Sequence, residues 1–351
     1  MSNTKIPTIV LGGTGYVAGE LLRLIAGHPQ LELAAAVSES QAGSMIKAVF
    51  PHLQNAFGEQ AYITLDEIGP HLKGRIALFS AAPHGASAPM IADLLKQAQQ
   101  NDCLITVVDV SADFRYSTAA AYEAVYGNAH GAPALLDQFH SALPEHSDSN
   151  TPHIGHPGCF ATAMLLGAVP LLDLGLVNTD IHAFGITGST GSGHAPIATT
   201  HHPLRHANLY AYKPLAHRHA PEVVAICKAV TGIQPSLHFI PHSGPFARGI
   251  HMTLTASLTE KMSTVDLRAK FADYYADKPF VEIINTTPRI KDVVGSNYAH
   301  IGVAVDESVA AVFIVIDNLV KGAAGGAIQW MNRLLGFDET AGLTAPGPGW
   351  L

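Results

Sequence analysis

Cysteine is scarce in this chain. Three thiols, Cys103, Cys159 and Cys227, stand among 351 residues, and none forms a CxxC pair. An odd set of scattered thiols suits a reducing compartment better than a disulfide framework, so a cytoplasmic location is expected. Charge is also sparse, at 14% of residues, with a formal net charge of −8 and no long run of one sign. That balance argues against a nucleic-acid partner, although local arginines can still hold a small anion in a cleft. No window approaches the roughly 18 uncharged apolar residues needed to span a membrane. The start, Met1 through Lys5 into Ile6-Pro7-Thr8-Ile9-Val10-Leu11, lacks a basic region, a long apolar stretch and a small-residue cleavage site, and reads as a first strand. No internal repeat or low-complexity tract is present.

The length fits two domains. From Thr8 to about Ser111, short β-rich apolar runs alternate with helical ones: Thr8 to Leu11, Gly19 to Ala26, Leu31 to Val37, Ile76 to Ser80, Ala88 to Gln100 and Leu104 to Val110. This alternation predicts an α/β fold with a Rossmann-like doubly wound parallel sheet. Residues from about Tyr116 to Thr151 lack clear periodicity and read as a connection. The expected division is a dinucleotide-binding domain over residues 1–155, completed by 319–351, and a catalytic and oligomerisation domain over 156–318. In the second part, Gly185 to His219 is too long for an idle loop. Strands are expected at Ser236 to Ile240, His251 to Thr259 and Ala310 to Asp317, and a helix from about Ala323 to Leu335 that returns to the first domain.

Two features carry chemistry. The first is Gly12-Gly13-Thr14-Gly15-Tyr16-Val17-Ala18, which follows a strand and opens a helix. Glycines there allow a tight turn and let backbone N–H groups approach a pyrophosphate, although the spacing is a GxxGxxA variant of the dinucleotide fingerprint. The end of the second strand, Val37-Ser38-Glu39-Ser40, should meet the adenosine ribose. Glu39 suits the free 2′-hydroxyl of NAD and the hydroxyls of Ser38 and Ser40 suit the 2′-phosphate of NADP, so both cofactors stay open.

The second feature is Cys159, in His156-Pro157-Gly158-Cys159-Phe160-Ala161-Thr162. A helix from Ala161 to Leu174 would place the sulfur at or just before its N-terminus, where the macrodipole favours a thiolate. Cys103 and Cys227 lie in apolar surroundings and read as core. Candidate proton-transfer partners among the 20 histidines are His156, His201, His202, His217, His219 and His242. His217-Arg218-His219 sits at a helix start, where Glu222 or a backbone carbonyl could fix the tautomer of one ring. His194, His201, His202 and His206 cluster without a zinc spacing, so no metal is expected. Arg115 follows the strand Leu104 to Val110, at the edge where open α/β sheets bind ligands, and could clamp a phosphate or carboxylate. A thiol beside a hydride source points to an aldehyde-level oxidoreductase.

The ordered blocks Gly12-Gly13-Thr14-Gly15-Tyr16, Ala82-Pro83-His84-Gly85, Ser111-Ala112-Asp113-Phe114-Arg115 and Gly158-Cys159-Phe160-Ala161-Thr162 resemble the N-acetyl-γ-glutamyl-phosphate reductases of arginine biosynthesis. So do His217-Arg218-His219-Ala220-Pro221-Glu222, Pro245-Phe246-Ala247-Arg248-Gly249 and Asp317-Asn318-Leu319-Val320-Lys321-Gly322. The wider family includes aspartate-semialdehyde dehydrogenase, and its second domain is similar to that of glyceraldehyde-3-phosphate dehydrogenase. The resemblance implies NADPH-dependent reduction of an acyl phosphate through a Cys159 thioester, in a homodimer or homotetramer. It implies His217 as acid/base and Arg115, Ser189, His219 and Arg248 as substrate contacts. Gly12, Gly13, Thr14, Gly15, Tyr16, Val17, Ser38, Ser40, Pro83 and Asn318 would touch the cofactor. The sequence departs from the family at Phe160-Ala161 in place of Tyr-Pro, and at Glu39 in place of an arginine. The segment Gly188 to Pro196 lacks the family's loop arginine. Thr200-His201-His202-Pro203-Leu204-Arg205 and the end Ala345 to Gly349 are similar to the reductase of lysine biosynthesis that takes a carrier-protein-linked aminoadipyl phosphate. That substrate, or N-succinylglutamyl phosphate, is the alternative within the class. A non-enzymatic dinucleotide sensor is the alternative outside it.

Overall fold

The computed structural model describes residues 5–149 and 151–349, which group into two compact units. Of the described residues, the first comprises 5–141, 148–149, 151–156 and 324–344, and the second 142–147, 157–323 and 345–349.

The first unit holds a sheet of six parallel strands: β1 (Ile6–Leu11), β2 (Leu31–Val37), β3 (Arg75–Ser80), β4 (Leu104–Asp109), β5 (Phe139–His140) and β6 (His153–Gly155). Their order is β2-β1-β3-β4-β6-β5, so the chain reverses its winding between β1 and β3. Helices cover both faces because the central strands are apolar on both sides, with Ile9, Val10, Leu11, Leu78 and Phe79 fully buried. The helix Ser87–Gln100 packs into one core through Ala88, Ile91, Leu94 and Ala98. The helix Gly325–Leu335 lies against β4 and the helix Tyr16–Ala26. It is tied down when the buried His28 ring meets the Asn332 amide oxygen at 3.0 Å.

The span from Tyr116 to Thr151 is more structured than its composition suggests. It contains a helix, Ala119–Tyr126, and the short strand β5. Aromatic packing supplies the order that periodicity did not reveal: Phe114 stacks on Phe139 at 3.7 Å, and Tyr122 on Tyr126 at 4.9 Å.

The second unit holds a mixed sheet of seven strands: β7 (Val177–Thr187), β8 (Tyr210–Ala211), β9 (Ser236–Ser243), β10 (Ile250–Leu258), β11 (Val281–Ile283), β12 (Ala299–Asp306) and β13 (Val309–Ile316). The order is β11-β12-β13-β10-β7-β9-β8. Strict alternation along β10, buried at Ile250, Met252, Leu254, Ala256 and Leu258, turns one face toward the apolar helix Cys159–Asp173. Gly167 allows that approach: a Cβ there would lie 2.5 Å from Leu254 Cδ1. The other face carries Asp180, His182 and Phe184, all exposed. The helix Thr264–Tyr274, absent from the sequence expectation, begins in a capping box between Ser263 and Asp266 and packs on β12. Its apolar stripe is thin, with only Leu267 and Phe271 buried, so periodicity gave little signal.

Candidate active site

Cys159 is the first residue of its helix, with Gly158 as the N-cap in an extended conformation. The sulfur therefore stands at the positive end of a 15-residue helix, and the residue is partly exposed while Cys103 and Cys227 are buried. Burial pushes the Cys227 thiol up to about 12, and raises that of Cys103, so neither is a nucleophile at neutral pH. The turn before Cys159 is fixed by Glu222, a fully buried carboxylate that accepts the Gly158 N–H at 2.7 Å. Behind it, Gly322 lets the π-helical turn Val320–Ala324 close on the cysteine, because a Cβ there would sit 2.9 Å from Cys159 Cβ.

His217 packs edge-on against Phe160 at 5.8 Å, Phe239 at 5.4 Å and Tyr212 at 5.7 Å, and its centroid is 4.7 Å from that of His219. Both histidines thus pack on Phe160, the residue that follows the sulfur. Burial, with smaller contributions from Lys213 and Arg218, lowers the His217 pKa to about 4. The ring is therefore neutral at physiological pH. Its Nδ1 accepts the backbone N–H of His219 at 3.2 Å, which places the proton on Nε2. A backbone amide, rather than a carbonyl or Glu222, performs this orientation at Nδ1. Tyr212 was not singled out from the sequence; burial, with a smaller contribution from Cys159, raises its pKa, so the hydroxyl stays protonated at neutral pH.

Ser189, Arg248 and Asn318 meet in one knot of the second unit. Ser189 opens the turn Ser189–Ser192, and its N–H donates to Phe246 O at 2.9 Å. Thr190 Oγ donates to Ala247 O and accepts from Asn318 Nδ2, whose side-chain oxygen accepts the Gly249 N–H at 2.7 Å. Arg248 binds the buried Asp317 through Nε and Nη2, each at 3.1 Å. Asp317 also accepts the N–H groups of Leu319, Val320 and Gly295, so one carboxylate orients the arginine and starts the π-helical turn behind Cys159. The histidines His194, His201, His202 and His206 are exposed on the long loop, where His202 and His206 approach to 5.1 Å.

In the first unit, Gly12 has a φ of +69° and the Gly13 N–H donates to Val37 O at 2.9 Å, while the buried Tyr62 hydroxyl donates to Gly13 O. Gly15 caps the helix Tyr16–Ala26 without a side-chain hydrogen bond, and a Cβ on it would meet nothing within 4 Å. An open glycine turn at a helix N-terminus fits a dinucleotide pyrophosphate. Ser38 and Ser40 hydroxyls lie 3.4 Å apart, and Glu39 turns its carboxylate to the Leu65 N–H at 2.9 Å. The loop that holds Pro83 is pinned by Asp113, which accepts from Gly85 N and Ala88 N, and by His84 Nδ1, which accepts the Ala112 N–H. Arg115 is buried: Nε donates to His156 O and Nη2 to Val110 O, each at 2.9 Å. These bonds fix the chain three residues before Cys159.

Both units match known family models: residues 8–139 match the NAD-binding domain of semialdehyde dehydrogenases, and residues 159–318 their dimerisation domain. The chain is similar to aspartate semialdehyde dehydrogenase II of Vibrio cholerae, with a TM-score of 0.71 at 16% identity, covering 95% of this chain and 98% of that one. The NADP-bound aspartate semialdehyde dehydrogenase of Candida albicans gives 0.64 at 14%, covering 94% and 99%. The fold and domains are those of the semialdehyde dehydrogenases, phosphorylating oxidoreductases that use a nicotinamide dinucleotide. Among curated relatives, the N-acetyl-γ-glutamyl-phosphate reductase of Methanopyrus kandleri is 38% identical over 347 residues, 96% of this chain and 98% of the relative. That of Pseudomonas aeruginosa is 37% identical over 343 residues, covering 95% and 97%. The chain belongs to the N-acetyl-γ-glutamyl-phosphate reductase family.

Proposed function

We propose that the protein reduces N-acetyl-γ-glutamyl phosphate to N-acetylglutamate 5-semialdehyde with release of phosphate, using NADPH, as a cytoplasmic homo-oligomer. The observation that carries this reading is a cysteine at a helix N-terminus, preceded by the Gly158 that Glu222 holds and followed by Phe160, on which a neutral histidine packs, in a chain of this family. Cys159 attacks the acyl carbon, the carbon–oxygen bond to phosphate breaks, and a thioester remains on the sulfur. The helix N-terminus favours the thiolate both as attacking and as leaving group.

When bound, the dinucleotide supplies the hydride that takes the thioester carbon to the aldehyde level. The oxygen of that carbon then gains charge, and the neutral His217 ring can donate from Nε2–H to it. The proton stays on Nε2 and the hydrogen bond relaxes as the carbon–sulfur bond breaks and the thiolate leaves, so the ring is neutral throughout. Arg248, held along one edge by Asp317, and Ser189 are proposed to receive the substrate, with His219. Arg115 is proposed to act on the leaving phosphate. For NADPH, the support is local: the Ser38 and Ser40 hydroxyls are adjacent, and the Glu39 carboxylate is turned to a backbone N–H.

The test is phosphate-dependent reduction of NADP⁺ and, separately, NAD⁺ by N-acetylglutamate semialdehyde. Turnover with NADP⁺ in preference to NAD⁺ is the expected result; a folded enzyme inert with both rejects the substrate assignment. His217→Asn should lower turnover by about 10²-fold with cofactor affinity nearly unchanged. Because the ring protonates only near pH 4, it should contribute no inflection around 6.5 to the wild-type kcat profile. Unaltered turnover in the variant removes His217 from the mechanism.

A further inference from the structure

The open face of the second sheet carries a group that the reaction does not use. Asp180 and His182 lie two residues apart on β7 and therefore point the same way, and His238 on the parallel neighbour β9 is in direct register with His182. The two imidazoles stack, with centroids 4.8 Å apart and planes 23° from parallel. His238 Nε2 lies 2.8 Å from Asp180 Oδ1, and His182 Nε2 lies 3.7 Å from Asp180 Oδ2. Ser236 Oγ is 3.2 Å from the same His238 nitrogen. One ligand atom from each of Asp180, His182 and His238 lies within 4.8 Å of the others.

We propose that Asp180, His182 and His238 form a three-ligand site for a borderline divalent cation of the Zn²⁺ class, with its remaining positions open to water or a small anion. The spacing is the first reason. Zinc bonds of about 2.0–2.1 Å at tetrahedral angles put donor atoms roughly 3.3–3.4 Å apart. The distances from the two Asp180 oxygens to His238 and His182 fall on either side of that value, and no pair in the three-atom set exceeds 4.8 Å, so rotation of these surface side chains brings one oxygen and both imidazoles together. Backbone order is the second: all three residues stand within strands hydrogen-bonded to each other, and no loop has to fold around the ion. Donor chemistry is the third, because two imidazoles and one carboxylate leave open positions and select borderline metals over calcium or magnesium.

The hollow beside the group, about 320 Å³, is lined by Asn178, Asp180, His182, Thr255, Ala256, Ser257 and Val309, with no lysine or arginine to repel a cation. This site differs from the loop histidines considered in the sequence, which come from a flanking segment, and it was hidden there because His238 lies 56 residues after His182. Only the parallel pairing of β7 with β9 joins them. The ion would staple these two strands.

The test uses the full chain, stripped with EDTA and titrated with Zn²⁺ against a chromophoric chelator of known affinity. Wild type and Cys159→Ser, which reports any capture by the reactive thiol, should each bind one tight equivalent. His182→Ala/His238→Ala should lose at least about 100-fold in affinity, since loss of outer-shell partners alone costs 10–100-fold. Asp180→Asn, which keeps the side-chain shape, should weaken binding and abolish the rise of Tm with Zn²⁺ expected of wild type. No tight equivalent in wild type, or one that survives the double variant, overturns the site. The readout is metal affinity, so it stands apart from the outcome of the reductase assay.

Discussion

Replacing Cys159 by serine is expected to lower reductive turnover by on the order of 10⁴-fold or more, with dinucleotide affinity and Tm close to wild type. A serine hydroxyl occupies nearly the same volume, so the packing of Gly322 against this position and the Glu222 clamp on Gly158 both persist. What is lost is ionisation. A helix N-terminus can bring a thiol within reach of neutral pH, whereas an alcohol stays protonated and leaves poorly from the carbon it has attacked. The companion measurement is alkylation by iodoacetamide followed by intact mass. Wild type should take one label rapidly at Cys159, since burial raises the other two thiols. With acyl phosphate and no dinucleotide, wild type should also gain the mass of one acyl group, and the variant none. A variant that keeps more than a tenth of the activity would refute the thioester route, and labelling led by Cys103 or Cys227 would refute the account of reactivity.

Glu222→Gln separates two accounts of that reactivity. The amide oxygen can still accept the Gly158 N–H, so geometry is kept while the negative charge disappears. Faster alkylation at Cys159 would show that the carboxylate charge opposes the thiolate. An unchanged rate would assign Glu222 to positioning alone.

Legibility in the sequence followed the range of the interactions involved. The strands of the first sheet were readable because they are short, continuous and apolar, a pattern that only burial on two faces explains. Cys159 was readable because a Pro-Gly turn runs directly into an apolar helix. The roles around it were less so, because they rest on pairs distant in sequence. Glu222 reaches Gly158 across 64 residues, and Asp317 reaches Arg248 across 69. Neither pairing leaves a local spacing to detect. Arg115 shows the same limit: the sequence placed it at a ligand-binding edge, but two of its N–H groups are committed to carbonyls of Val110 and His156. The helix Thr264–Tyr274 escaped for the opposite reason, since its caps are local but its buried stripe holds only two residues. Tyr212 lies in a loop whose composition says nothing about the His217 ring it packs on.

The glycine turn yields the second large effect, and a pair of substitutions isolates its cause. Gly12→Ala should destabilise the fold by about 2 kcal/mol or more and weaken dinucleotide binding beyond convenient measurement. At φ +69° an alanine is strained, and its Cβ would lie 2.6 Å from both Cα and N of Ala82. Those are backbone atoms next to β3, so no side-chain rotation relieves the clash. Gly15→Ala meets no protein atom within 4 Å and has an ordinary negative φ of −81°, so Tm should hold. Its methyl group enters the space over the first turn of the helix, where a pyrophosphate would receive backbone N–H bonds. Dinucleotide affinity should therefore fall by about 10-fold or more, since each 1.4 kcal/mol of lost contact is a factor of ten. Equal affinity in Gly15→Ala and wild type would mean that the phosphates bind elsewhere. A loss of affinity matched by a loss of Tm would mean that the glycine serves the fold rather than the cofactor.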